Sequence, residues 1–158
     1  MDVALAIDVG GTKVEVGVVD RDGTILWRER IATPAHGDGD AMFAAIVELT
    51  DRATVAMDVA PIVCGVGTGG PMTRGGATVS PVNIPAWRGF PLQSRLATTL
   101  ALPTFVDNDA KALALAEGWC GAARGVADYV AMVVSTGVGG GIVLDGRLLD
   151  GVDGNAGH

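Results

Sequence analysis

Three short stretches carry residue types suited to one chemistry: holding an anion beside an ionised acid. The first is Val106-Asp107-Asn108-Asp109-Ala110. Pro103-Thr104-Phe105 begin a short apolar run that reads as a strand, and Ala110 to Cys120, rich in Ala and Leu, reads as a helix. Asp109 is therefore expected at the N-cap of that helix. Backbone N–H groups and the positive end of the helix dipole would keep its carboxylate ionised there. An ionised carboxylate on a rigid edge can take a proton from a bound hydroxyl. The same position also suits an Asp that only caps the helix.

The second stretch is Asp8-Val9-Gly10-Gly11-Thr12-Lys13, a tight turn between two apolar runs. Two glycines let backbone N–H groups point at an anion without obstruction by a Cβ. Thr12 adds a hydroxyl, Lys13 a positive charge, and Asp8 a hard oxygen ligand able to hold Mg²⁺ directly or through water. The alternative is an ordinary hairpin turn. The third stretch, Ser135-Thr136-Gly137-Val138-Gly139-Gly140-Gly141, repeats the strand–turn–strand pattern and reads as a Gly-rich turn over its whole length. Two such turns predict a phosphate clamped from both sides, with the turns facing each other across one cleft.

The elements that must position these residues follow from pattern. Val3–Asp8, Val14–Asp20 and Thr24–Ile31 read as three strands, the last two joined by the hairpin signal Arg21-Asp22-Gly23. Asp40 is the expected cap of a helix to about Met57, with Phe43, Ile46, Val47, Thr50 and Ala53 on its buried face. A strand over Pro61–Val66 and a helix over Pro91–Leu100 follow. Between them, residues 67–85 form a polar, Gly/Pro-rich loop beyond the usual length, and such loops are often functional. Tyr129–Val134, Ile142–Leu144 and Arg147–Leu149 read as three further strands, the last two joined at Asp145-Gly146. The order β-β-β-α-β-α-β-α followed by β-β-β is an α/β pattern. It differs from a Rossmann unit, which alternates strand and helix from the start. Neither G-x-G-x-x-G nor Walker A spacing is present.

Composition narrows the function classes. The chain has 158 residues, 49% of them apolar, which excludes a disordered polypeptide. Its 24 glycines are about twice the usual share and cluster between apolar runs. The net charge of −7, without a Lys/Arg cluster, disfavours nucleic acid as a partner. Cys64 and Cys120 each lie in an apolar stretch and are expected to be buried and reduced, as in a cytoplasmic protein. Neither a signal peptide nor a membrane span is expected.

Taken together, the paired phosphate-type turns, Gly67-Thr68-Gly69-Gly70-Pro71, Asn83-Ile84-Pro85-Ala86-Trp87, Val106-Asp107-Asn108-Asp109-Ala110 and Gly154-Asn155-Ala156-Gly157 resemble the ROK family in order and spacing. These are bacterial sugar kinases and sugar-responsive repressors of the actin-like ATPase superfamily. The resemblance covers nearly the whole chain. It implies a ribonuclease H-like fold with a mixed five-stranded sheet and helices over 1–122, and the opening strands of a second, incomplete domain over 123–158. It also implies ATP-dependent phosphorylation of a hexose hydroxyl, the 6-hydroxyl of glucose or a related sugar, with polyphosphate as the alternative donor. Asp109 resembles the family's catalytic base. Asn108, Gly70 and Asn83 resemble sugar-side residues, Gly10–Lys13 the first phosphate motif, and Thr136-Gly137 the second. Asp8 opens that first motif, which runs from Asp8 to Lys13, and is the expected Mg²⁺ ligand, directly or through water.

Two departures stand out. Gly69 replaces a Pro common in the family, and His158 stands where a sugar-binding Glu is usual; a His can still make a hydrogen bond. The family's zinc motif, rich in His and Cys, has no counterpart here, so the zinc expected in full-length members lacks its ligands. The resemblance further implies small-molecule sugar and nucleotide partners and a homo-oligomer at full length. Strands 129–149 are expected to lack covering helices. The 158-residue polypeptide alone is then expected to bind sugar weakly, lack kinase activity and self-associate through them. The competing classes are a ROK-type repressor, disfavoured by the strand at Val3 and the acidic charge, and a sugar-binding module without catalysis.

Overall fold

The structure is a computed structural model that describes residues 1–34, 38–58, 60–134 and 137–157. Alternation along the strands builds the first sheet. In β1 (Val3–Val9), Val3, Leu5, Ile7 and Val9 are buried, while Ala6 and Asp8 face outward. Strand β2 (Lys13–Asp20) pairs antiparallel with β1 and sets Val14, Val16 and Val18 opposite Val9, Ile7 and Leu5. One face of the pair is thus continuous apolar surface, the requirement for a sheet packed on helices. β3 (Ile25–Ala32) pairs antiparallel with β2, whereas β4 (Val63–Thr68) and β5 (Thr104–Asn108) run parallel to β1. The order β3-β2-β1-β4-β5 is the mixed five-stranded, ribonuclease H-like sheet expected from the sequence.

Two helices cover the apolar face. α1 (Gly39–Met57) is capped by Asp38, whose carboxylate accepts from the N–H groups of Asp40 and Ala41. Asp40, expected as the cap, lies in the first turn instead. Of the expected buried face, Phe43, Ile46, Thr50 and Ala53 are buried, joined by Met42 and Leu49; Val47 is half-buried. α2 (Leu92–Leu100) buries Leu92 and Leu96 in the same core.

Residues 67–85 are ordered by burial rather than left as an open loop. Met72, Val79 and Ile84 insert into the core, and Trp87, just beyond the segment, joins them. The Trp87 ring stacks on Phe90 at 4.5 Å, and its Nε1 donates to the Gly39 carbonyl at 3.1 Å. Arg88 Nη1 donates to the carbonyls of Pro81, Ile84 and Trp87, stapling that turn.

α3 (Asp109–Cys120) crosses the opposite face of the sheet and also covers a second sheet of β6 (Tyr129–Val134), β7 (Val138–Leu144) and β8 (Arg147–Leu148), all antiparallel. Two expectations change here. Val138–Gly141 is strand, paired with β6 as Val134↔Val138 and Ala131↔Gly141, rather than the second half of a turn. The second sheet also has a covering helix on one face, because α3 is shared between both sheets. The Tyr129 hydroxyl donates to the Ala114 carbonyl at 2.8 Å. The other face stays open at Val130, Met132, Val134, Val138 and Leu144. Cys64 is buried as expected, and burial pushes its thiol up to about 12 against an opposing Thr104 hydroxyl contact, so it stays protonated. Cys120, at the end of α3, is exposed, contrary to the apolar stretch around it. Among the described residues, no helix is long and apolar enough to cross a membrane.

The glycines of β7 allow α3 to come close. A Cβ on Gly141 would lie 2.4 Å from Ala114 Cβ and 2.9 Å from the Ala110 carbonyl oxygen. Gly141→Ala should therefore cost about 1–3 kcal/mol by overpacking. The check is urea denaturation, with a lowered midpoint at unchanged slope as the expected result.

Candidate functional site

The three parallel strands end level with one another. Val9 pairs with Thr68 and Thr68 with Asn108, so the carboxyl ends of β1, β4 and β5 form one edge. Thr68 Oγ1 ties that edge together by donating to the Val9 carbonyl at 3.1 Å. The glycine turn after β1, the segment after β4 and the helix after β5 all leave from it. Open α/β sheets bind ligands outside such carboxyl ends.

One residue back, Asp8, Gly67 and Asp107 stand side by side across the sheet, with Glu15 beyond Asp8. This row lies on the face that α3 covers. Gly67 separates the two aspartates, and a Cβ placed on it would sit 3.4 Å from the Asp109 Cα. Asp109 is thus seated beside β4 at the start of α3, close enough to Asp8 for their charges to interact. Burial raises the Asp8 carboxyl above its ordinary range; the Asp109 carboxylate pushes it the same way and Lys13 opposes, while Glu15 adds a smaller upward push and Arg30 a smaller downward one. The Asp8 residue is nevertheless exposed at the edge, so the surrounding protein crowds its charge without closing off its oxygens.

The cap of α3 is Asn108, not Asp109. Asn108 Oδ1 accepts from the N–H groups of Ala110 at 3.0 Å and Lys111 at 3.4 Å, and the residue is buried. Asp109 is the first helical residue; its Oδ1 accepts from the Ala110 N–H at 2.8 Å, and the residue is exposed. The expected cap is Asp109; the backbone makes it Asn108, whose extended conformation precedes the helix. A carboxylate in the first turn still meets the positive end of the dipole.

The first glycine turn is closed by the Gly10 N–H donating to the Lys13 carbonyl at 2.9 Å, and it is braced by Thr33, whose hydroxyl donates to the Gly10 carbonyl at 2.6 Å. Gly11, Thr12 and Lys13 are exposed. A Cβ on Gly11 would lie 2.6 Å from Asn83 Cβ, so the turn rests directly on Asn83. Gly70 is buried, and its carbonyl accepts from the Val82 N–H at 3.2 Å, which brings the two expected sugar-side segments together. On the far side of α3, a Cβ on Gly139 would lie 3.2 Å from Ala110 Cβ. The start of β7, next to Gly137, therefore also reaches the first turn of α3. Thr136 and His158, expected in the second phosphate motif and at the sugar, lie outside the described residues.

Two contributors, Lys111 and Asp150, escaped sequence reading, as did the contact made by the motif residue Asn155. Lys111 is buried with its ammonium group against Asp150 and Gly154, and Asn155 binds the backbone of Met72. A lone Lys in an Ala/Leu-rich helix was the available signal for the first. The contacts of Asp150 and Asn155 cross the chain and left none.

The donor set fits a hard divalent cation. Mg²⁺ needs only one or two carboxylates together with water and phosphate oxygens, and the Asp8 carboxylate is accessible and crowded by a second negative charge. Zinc is not fitted: among the described residues no three His, Cys, Asp or Glu side chains come together as a metal cage.

A five-stranded mixed sheet, a second sheet across a shared helix and a glycine turn at the shared strand edge define an actin-like ATPase fold. The chain belongs to the ROK family, whose model matches residues 4–158. An N-acetylmannosamine kinase of Citrobacter koseri is 43% identical over 157 residues, covering 98% of this chain and 52% of that protein. A ROK family glucokinase from Streptomyces griseus, solved with glucose and AMPPNP, matches with a TM-score of 0.89 at 34% identity, over 98% of this chain and 48% of that one. A ROK family transcriptional regulator, a homologue of the E. coli MLC protein, matches with a TM-score of 0.81 at 26% identity, over 99% of this chain and 40% of that one. The chain spans about half the length of the curated relatives it matches.

The raised Asp8 carboxyl has a sign that can be measured. In the unfolded chain Asp8 returns to its ordinary value of 3.8, so holding it ionised weighs against the fold above its folded value. That penalty shrinks as pH falls through the folded value and is gone below 3.8. Asp8→Asn should therefore raise the thermal midpoint at pH 7, with the gain fading on acidification. Calorimetric scans of both proteins from pH 7 to pH 3.5 check this, and an unchanged or lower midpoint at pH 7 would contradict it.

Proposed function

We propose that the whole protein is an ATP-dependent sugar kinase acting on a hexose of the N-acetylhexosamine or glucose type. The observation that carries this reading is the meeting of Asp109, Asp8 and the Gly10–Lys13 turn at one strand edge, with that turn seated on Asn83. The similarity to an N-acetylmannosamine kinase and to a glucokinase supports the substrate class.

In this reading, Asp109 takes the proton from the sugar hydroxyl as that oxygen attacks the γ-phosphate. Its place in the first helical turn sets the carboxylate at the positive end of the helix dipole, beside the strand edge. Asn108, Asn83, the Gly70 backbone and His158 hold the sugar. Gly10–Lys13 cradles the phosphates from one side and Thr136-Gly137 from the other, across a single cleft. Asp8 would hold Mg²⁺ directly or through water, which supplies neutralisation of phosphate charge. Phosphoryl transfer demands alignment and charge compensation more than covalent participation by the protein, and a rigid strand edge provides alignment. The protein is, in the same reading, a cytoplasmic homo-oligomer with neither nucleic acid nor membrane as a partner.

The test is a coupled ADP-release assay of the whole protein with N-acetylmannosamine, N-acetylglucosamine and glucose, with polyphosphate as an alternative donor. Turnover with at least one of these sugars and ATP, at about 1–100 s⁻¹, is the expected result. Calorimetric sugar binding without turnover would instead favour a sensor or binding module, the reading that the similarity to a transcriptional regulator supports. Asp109→Asn should lower kcat by about 10²–10⁴-fold, the usual loss on removing a general base. Its sugar affinity should stay within a few-fold of the parent. Near-normal turnover by this variant would remove Asp109 from the mechanism.

A further inference from the structure

Among the described residues, Lys111 is the only buried one that carries a formal charge; its side chain is 1% exposed. An ammonium group is placed out of water only where acceptors replace its hydration. Lys111 Nζ has them: it donates to Asp150 Oδ1 at 2.9 Å and to the Gly154 carbonyl at 2.8 Å, and it lies 3.6 Å from Asp107 Oδ1. Two of the three belong to one short segment, residues 150–157, which also closes on itself through the Ala156 N–H and the Asp150 carbonyl at 3.0 Å.

The same segment is fastened at two further points. The Asn155 side chain pairs with both backbone groups of Met72: Oδ1 accepts from its N–H at 3.3 Å, and Nδ2 donates to its carbonyl at 3.1 Å. The Gly157 carbonyl accepts from the Gly140 N–H at 2.7 Å. Residues 150–157 therefore link three elements that do not follow one another in the chain: the first turn of α3, the segment after β4, and β7. The ammonium group is the cation of this linkage, paired with the Asp150 carboxylate, and it sits two residues from Asp109.

We propose that Lys111 is a positioning residue. By holding residues 150–157 against α3, it fixes, through Asn155, where the Gly70–Met72 turn stands relative to Asp109. The proposal rests on the kinase reading insofar as both of those elements face the sugar. Asp107, on the strand that leads into Asp109, takes the remaining side of the ammonium group, so the brace and the proposed base share one rigid corner.

The test compares Lys111→Met, which keeps length without charge, and Asp150→Asn with the parent in the whole protein. Misplacing a binding surface by about 1 Å can cost about 10²-fold. In Lys111→Met, KM for the sugar should rise about 10–100-fold by this effect, while KM for ATP stays within twofold. Asp150→Asn should move the sugar KM in the same direction by less, because the Gly154 carbonyl and Asp107 remain, and the double variant should be no worse than Lys111→Met.

Hydrogen exchange read by mass spectrometry supplies a measurement independent of activity. Exchange should quicken in peptides covering 70–76 and 150–157 and stay at parent rates in α1 and α2. Equal rises in KM for sugar and ATP, or unchanged sugar KM and unchanged exchange in a folded variant, would overturn the proposal. If the parent turns over no sugar, the kinase reading fails and the exchange pattern alone upholds or overturns the brace. If Lys111→Met does not fold, Asp150→Asn decides by the same two measurements.

Discussion

The close seating of α3 between two sheets is the constraint on which the rest of the structure depends. One helix must satisfy β4 and β5 on one side and β6 and β7 on the other, and it can do so only where side chains are missing. Ala110 and Ala114 on the helix meet Gly139 and Gly141 on β7, while Gly67 clears the other side beside Asp109. The Tyr129 hydroxyl then fixes the helix by bonding to the Ala114 carbonyl. Because the helix is held from both sides, its first turn is held as well. The first turn is where Asn108 caps, Asp109 presents its carboxylate and Lys111 turns inward.

Charge is distributed around that corner in a consistent way. Glu15, Asp8 and Asp107 share one row across the sheet, and Asp109 adds a fourth carboxylate next to it. One end of the row is compensated by Arg30, which meets Glu15 at 2.5 Å, and the other, Asp107, by Lys111. Asp8 and Asp109, between those pairs, repel each other, and Lys13 only partly offsets the effect on Asp8. A site left with negative charge at its centre and the exposed residues Gly11, Thr12 and Lys13 on the adjoining turn suits a cation brought together with phosphate. This is the combination that phosphoryl transfer uses.

Much of this was legible from local pattern. Alternation in β1 and β2 followed the pleat because each strand has one buried face, and the Tyr129–Val134 strand was read to its ends. Turn chemistry placed the hairpins at Arg21-Asp22-Gly23 and Asp145-Gly146, where Gly23 and Asp145 both take positive φ. The motif residues fell at strand ends for the same local reason: apolar runs stop where polar and glycine residues begin.

Other features had no local signature. A glycine that admits a phosphate and a glycine that admits a helix look alike in one dimension, so Gly139–Gly141 read as a turn although they pair with β6. The 67–85 segment read as an open loop because its anchors, Met72, Val79 and Ile84, are single apolar residues without period, ordered only by the core they enter. Apart from the start of β7, sequence alone determined the order of strands and helices and the residue types available to a site, since these depend on near neighbours along the chain. Tertiary structure alone decided which carboxylates meet, which face α3 covers and what Lys111 holds. Those contacts join residues far apart in the chain, 83 positions in the case of Met72 and Asn155, and their energy comes from burial and charge pairing that exist only once the sheets have closed on the helix.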